Sequence, residues 1–184
     1  YTSVNFNVDS VGPVINITSP DENSITSDNG LNITYLVTEN NLDSCWYGND
    51  TMGVNTTLAS CINITSVTWS EGNHNVTIWG NDTYGNLGNN SITFTIDTNS
   101  PTINIISPDN NTNTTDEQVD ILYNVLDLNL DSCWYSNDSM SVNTTLANCM
   151  NLTYVVWSVG NHNVTVYVND SAGNENNSAI RFTI

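Results

Sequence analysis

The chain has 184 residues and one basic side chain, Arg181, against 19 acidic residues, for a formal net charge of −18. No part of it can neutralise nucleic-acid phosphates or anionic lipid head groups, and without lysine it can form neither a Schiff base nor a lysine–asparagine isopeptide crosslink. Its apolar runs are only a few residues long, too short to cross a bilayer, so the segment reads as soluble, with no direct membrane insertion.

Along the chain the dominant signal is self-similarity at an offset of 88 residues. Cys45-Trp46-Tyr47 returns as Cys133-Trp134-Tyr135, and Cys61, Gly72 and Gly85 return as Cys149, Gly160 and Gly173, without a gap. More than half of positions 9–96 are identical to their partners in 97–184, which defines two tandem copies of one fold, repeat 1 over 9–96 and repeat 2 over 97–184. Residues 1–8 align at the same offset with Asn89–Ile96, so Val4, Phe6 and Val8 stand where repeat 1 has Ile92, Phe94 and Ile96. They form either the last strand of a preceding repeat or a donor strand for a neighbouring subunit, bound by main-chain hydrogen bonds and alternate apolar side chains. The start lacks the basic and apolar regions of a signal peptide, so the sequence reads as mature or as cut from a longer chain.

In repeat 1 the alternation of apolar with Asn, Thr and Ser residues predicts strands near Val14–Thr18, Leu31–Thr38, Ser44–Gly48, Val54–Leu58, Ile62–Trp69, His74–Asn81 and Ser91–Ile96. Turn signals such as Ser19-Pro20-Asp21 and Asn29-Gly30 separate them, and no segment has a helical period. Seven short strands per repeat give an all-β protein of two tandem immunoglobulin-like β-sandwich domains, preceded by one extra strand. Parity points Ile15, Ile17, Ile33, Tyr35, Val37, Trp46, Val76, Ile78, Ile92, Phe94 and Ile96 inward, with Trp46 and Trp134 as central core tryptophans.

One cysteine pair per repeat at identical spacing favours the disulfides Cys45–Cys61 and Cys133–Cys149, and with them an oxidising, extracellular setting. Zinc is the rival use, but each repeat has one histidine and no C-x-x-C. Because Cys45 adjoins Trp46, the bridge is expected on the face away from the core.

Asparagine is heavily over-represented, and sixteen residues begin N-x-[S/T] sequons: Asn16, Asn32, Asn49, Asn55, Asn63, Asn75, Asn81, Asn89, Asn110, Asn113, Asn137, Asn143, Asn151, Asn163, Asn169 and Asn176. Several read Asn-apolar-Thr inside alternating strings, which turns asparagine and threonine to solvent. They predict covalent N-linked glycans; the plainer alternative is an uncharged polar sheet face.

No catalytic residue is expected. The bases of the right kind, His74 and His162, are duplicated and read as polar residues beside a turn. No cofactor or metal is expected beyond the attached glycans; calcium at Asp9, Asp21, Asp97 and Asp109 is the weaker reading against solvated turn carboxylates. Tyr47 and Trp79, with Tyr135 and Tyr167, are placed outward as candidate contact aromatics, able to pack at a subunit contact, stack on sugars or support the chain's own glycan.

The strings Asp97-Thr98-Asn99-Ser100-Pro101, Cys-Trp-Tyr, Gly72-Asn73-His74-Asn75-Val76-Thr77 and Asn169-Asp170-Ser171-Ala172-Gly173-Asn174 resemble tandem immunoglobulin-like repeats of large surface glycoproteins of archaea and other prokaryotes. The resemblance implies a non-enzymatic structural repeat of an extracellular filament, sheath or surface layer, whose partners are copies of itself or adjacent repeats in a linear assembly. A cell-surface adhesin or carbohydrate-binding receptor stalk is the alternative.

Overall fold

Strings of Ile, Val and aromatic residues alternating with Asn and Thr make strands with one apolar and one polar face, which two sheets can bury between them. The computed structural model describes Ser3 and residues 8–50, 55–138 and 143–184. Among these the regular elements are strands and two short 3-10 turns, Ala59–Cys61 and Ala147–Cys149, joined by loops, and the chain divides into two units between Asp97 and Thr98.

The first unit contains β1 (Val14–Ser19), β2 (Ser24–Thr26), β3 (Thr34–Thr38), β4 (Leu42–Asn49), β5 (Thr56–Leu58), β6 (Gly72–Asp82) and β7 (Leu87–Ile96). β1 and β3 pair antiparallel, with Ile15 opposite Val37. The second sheet has the order β2-β7-β6-β4-β5, with β2 parallel to β7 and the other pairs antiparallel. The second unit repeats this with β8 (Thr102–Ser107), β9 (Thr112–Asn113), β10 (Leu122–Leu126), β11 (Leu130–Asn137), β12 (Thr144–Leu146), β13 (Asn161–Asp170) and β14 (Glu175–Thr183). There β8 pairs with β10, and the larger sheet runs β12-β11-β13-β14-β9.

The first core gathers Ile15, Ile33, Tyr35, Ile64, Trp69, Val76, Ile78 and Phe94, and the second gathers their counterparts around Trp157 and Phe182. Trp69 is 3% exposed; its Nε1–H donates to the Leu31 carbonyl at 2.7 Å, and its ring meets Phe94 edge-on at 5.1 Å. Trp157 repeats this with the Val119 carbonyl at 2.8 Å and Phe182 at 5.1 Å.

Three expectations need correction. Trp46 and Trp134 are not core residues: the adjacent Cys45 and Cys133 are fully buried, and alternation along the strand then turns the two tryptophans to the other face. The bridge therefore runs into the sandwich, and the buried tryptophans are Trp69 and Trp157.

The predicted Ile62–Trp69 strand is not continuous. Ser60 and Cys61 both have left-handed backbones, at φ 55° and 52°, which break a ladder, and the segment then forms only the isolated bridge Ile33–Ile64, just ahead of β3. In its place the short β2 supplies the seventh strand, with one apolar residue, Ile25, too brief to show a period.

Asp82, closing the β6–β7 hairpin, is 1% exposed. Its carboxylate accepts the Tyr84 N–H at 2.9 Å, the Asn86 N–H at 2.8 Å and the Asn86 side-chain amide at 2.7 Å. Burial opposes the charge, but the Asn86 amide and the N–H groups of Asn86, Tyr84 and Gly85 outweigh it and hold the carboxyl below its ordinary value. The stability it contributes is complete above the ordinary aspartate pKa of about 3.9 and is lost as pH falls through the lower folded value. Asp82→Asn is therefore expected to lower the melting temperature at neutral pH and to flatten the acid limb of a melting-temperature profile; an unchanged acid limb would contradict this role.

The two repeats differ where β7 passes the start of β1. A β-carbon on Gly88 would lie 1.8 Å from the Pro13 carbonyl oxygen, so only glycine allows that approach. The counterpart in repeat 2 is Asn176, whose Nδ2 donates instead to the Pro101 carbonyl at 2.8 Å.

Candidate functional site

In each repeat the outer face of the five-stranded sheet carries the unusual chemistry. The β4–β6 register sets Trp46 directly opposite Trp79, and the rings stack with centroids 6.4 Å apart and planes inclined by 11°. In repeat 2 Trp134 stacks on Tyr167 at 5.6 Å and 4°. The expected contact aromatics are thus half corrected: Trp79 and Tyr167 face outward, whereas Tyr47 and Tyr135 share the parity of the buried cysteines and pack against the cores. Gly48, next on this face, is covered; a β-carbon there would lie 3.3 Å from Trp79 Cζ3 and 3.1 Å from Asn55 Oδ1.

All sixteen sequon asparagines lie at the surface. Thirteen are exposed, and Asn81, Asn163 and Asn169 are half-buried. Asn81 Oδ1 accepts from the Ser44 N–H at 3.2 Å and the Ser44 hydroxyl at 2.5 Å, while its Nδ2 donates to Asp43 at 3.3 Å. Asn169 Oδ1 likewise accepts from Ser132, at 3.1 and 2.6 Å. Asn63 and Asn151 use Oδ1 to accept the main-chain N–H of Tyr35 and Tyr123, at 3.1 and 2.9 Å. A glycan attaches at Nδ2, so the bonds accepted by Oδ1 survive modification.

The disulfides Cys45–Cys61 and Cys133–Cys149 each close a sequence separation of 16. On the inner face of β6, His74 is 5% exposed and lies between Trp69 and Phe94, with centroids at 5.4 Å from each. Its Nδ1 is 3.0 Å from Asp50 Oδ2 and its Nε2 is 2.8 Å from the Ser70 carbonyl oxygen. A catalytic base needs a nitrogen facing substrate or nucleophile, whereas both here face acceptors of the protein itself. His162 repeats the arrangement with Asp138 at 3.0 Å and the Ser158 carbonyl at 2.7 Å. The two are buried fasteners rather than polar turn residues, and the sequence concealed this because Trp69 and Phe94 reach them through space.

Of the acidic residues singled out for calcium, Asp9 accepts from the Val11 N–H and from Asn41 Nδ2, both at 3.1 Å. Asp21 and Asp109 are exposed, and their carbonyls close turns onto Ser24 and Thr112. Asp97 is buried, with its N–H donating to the Thr26 carbonyl at 2.9 Å. Val4 and Phe6 lie outside the described residues; Val8 is 78% exposed.

An open groove of about 510 Å³ crosses the outer face near His74, walled by Asn23, Asn73, Asn75, Thr93 and Thr95. Repeat 2 has its equivalent, about 560 Å³, with Asn161, Asn163, Arg181 and Thr183. Among solved structures, the chain is similar to the fibronectin(III)-like modules of Clostridium thermocellum CbhA, with 15% identity over 93% of this chain and 94% of that one and a TM-score of 0.52. Each unit has the fibronectin-III/immunoglobulin-like sandwich fold. A 1.5-MDa bacterial ice-binding adhesin is also similar, at 16% identity, 95% and 65% coverage and a TM-score of 0.42. No protein-family model and no curated protein matches the sequence. Among the described residues, no helix is long and apolar enough to cross a membrane.

Proposed function

We propose that the chain is a non-enzymatic structural repeat of an extracellular filament, sheath or surface layer, stapled by disulfides and covered by N-linked glycans. The observation that carries this reading is the placement of the sixteen sequon asparagines, none of them buried, on two sandwiches that each close a disulfide. Disulfides persist where the surroundings oxidise, and sugars on the sheet faces leave the ends of the sandwiches for contact between subunits. Copies of the chain, or adjacent repeats, are the partners, joined end to end with residues 1–8 pairing outside their own domains as an added strand.

An adhesin or carbohydrate-binding receptor whose binding head lay on these two repeats would need a groove open to an external ligand. The grooves on the outer faces hold the sequon asparagines Asn75 and Asn163 in their walls, so sugars there would occupy the space, which favours the structural reading. Phe6→Asp combined with Val4→Asp is expected to abolish assembly, read by sedimentation velocity, while leaving the melting profile of both sandwiches unchanged. Undiminished assembly of that variant would remove strand addition from the account.

A further inference from the structure

We propose that the outward aromatic pair of each repeat is the resting platform for a glycan of the same chain, carried by Asn55 for Trp46–Trp79 and by Asn143 for Trp134–Tyr167. This rests on the reading of the chain as an N-glycoprotein.

The register brings the parts together. In the sequon Asn55-Thr56-Thr57, Thr57 lies directly opposite Trp46, which lies directly opposite Trp79. Asn55 and the Trp79 ring meet over Gly48, each within van der Waals reach of the place its β-carbon would take. In repeat 2 the line runs Thr145, Trp134, Tyr167, and the sequon begins at Asn143.

Size decides between a sugar and a protein as the occupant. Two aromatic side chains offer roughly 300–500 Å² even when wholly exposed, against about 800 Å² per partner in a stable protein interface. These rings are already half-buried, and their surroundings are polar: Thr77 is bonded to Ser91 at 2.9 Å, and Asn81 is tied to Ser44. The remaining area suits one or two sugar rings, whose C–H faces pack on the negative face of an aromatic ring while their hydroxyls stay in water.

Neighbouring sequons fit less well. Asn81 and Asn169 are half-buried where Asn55 and Asn143 are exposed, and Asn89, opposite Trp79, has no sequon counterpart, since Asn177 is followed by Ser178-Ala179. Asn55 and Asn143 accompany the ring pair in both repeats, and the change from Trp79 to Tyr167 preserves a flat ring.

The test uses the full glycosylated chain, with glycopeptide mass spectrometry to locate the sugars and NMR to read their protons. Occupied Asn55, with sugar protons shifted upfield by ring current, is expected; the shift should shrink in Trp79→Ser and persist in Trp79→Tyr. Sugar protons at their free-glycan positions in the unaltered chain would overturn the proposal, as would sugars on other sequons with Asn55 and Asn143 bare. A chain bare at every sequon would instead overturn the glycoprotein reading on which the proposal stands. The unaltered chain decides even where Trp79→Ser does not fold.

Discussion

Trp69→Ala is expected to destabilise the first repeat by about 3–5 kcal/mol, the range for removing a large aromatic side chain from a packed core. The indole is 3% exposed and packs on Phe94 and His74, so its loss opens a cavity that strands fixed by ladder hydrogen bonds cannot refill. It also strips the Leu31 carbonyl of the N–H it accepts at 2.7 Å. At about 4–8 °C per kcal/mol for a domain of this size, the melting temperature of that repeat should fall by more than about 12 °C, read by calorimetry. Trp46→Ala, which removes an outward ring, should cost far less. Equal losses from the two variants would contradict the assignment of Trp69 to the core.

Removing the first disulfide, as Cys45→Ala with Cys61→Ala, is expected to cost about 3 kcal/mol from released chain entropy alone, given the loop of 16 residues. A further loss arises because Cys45 is fully buried, and alanine leaves its sulfur's space empty beside Ile15 and Gly80. Small sandwiches have little stability in reserve, so repeat 1 should melt well below repeat 2 in this variant. Reduction of the unaltered chain should lower both melting temperatures. Melting unchanged by dithiothreitol, with reduction verified by mass, would show that the bridges carry no load.

Much of this fold was legible because its strands alternate strictly. Ile15 and Ile17, Val76 and Ile78, and Ile92, Phe94 and Ile96 mark three strands with one face each, and the 88-residue offset transfers the reading to the second copy. Trp46 departs from this pattern because two core-forming residues adjoin there. Cys45 and Trp46 cannot both face inward, and the larger ring is the natural choice on volume. The register overrules it, since Cys45 lies opposite Gly80, which shares the inward face of Val76 and Ile78.

β2 and β9 were invisible for a different reason. They are held by main-chain pairing to β7 and β14, and Thr112–Asn113 contains no apolar residue at all. Trp69 was legible as apolar but not as central, because the segment before it follows no strand period once Ser60 and Cys61 turn left-handed. The outward ring pair could be half inferred: the parity that placed Trp79 outside was sound, and its stacking partner became visible only with the β4–β6 pairing.

The proposed role makes these sandwiches building units of an extracellular linear assembly. Electron microscopy of the native, unreduced material tests it most directly. Periodic fibres or sheets are expected, in which residues 1–8 complete or extend a sandwich other than their own two. Dispersed single particles, with that segment unpaired, would contradict it.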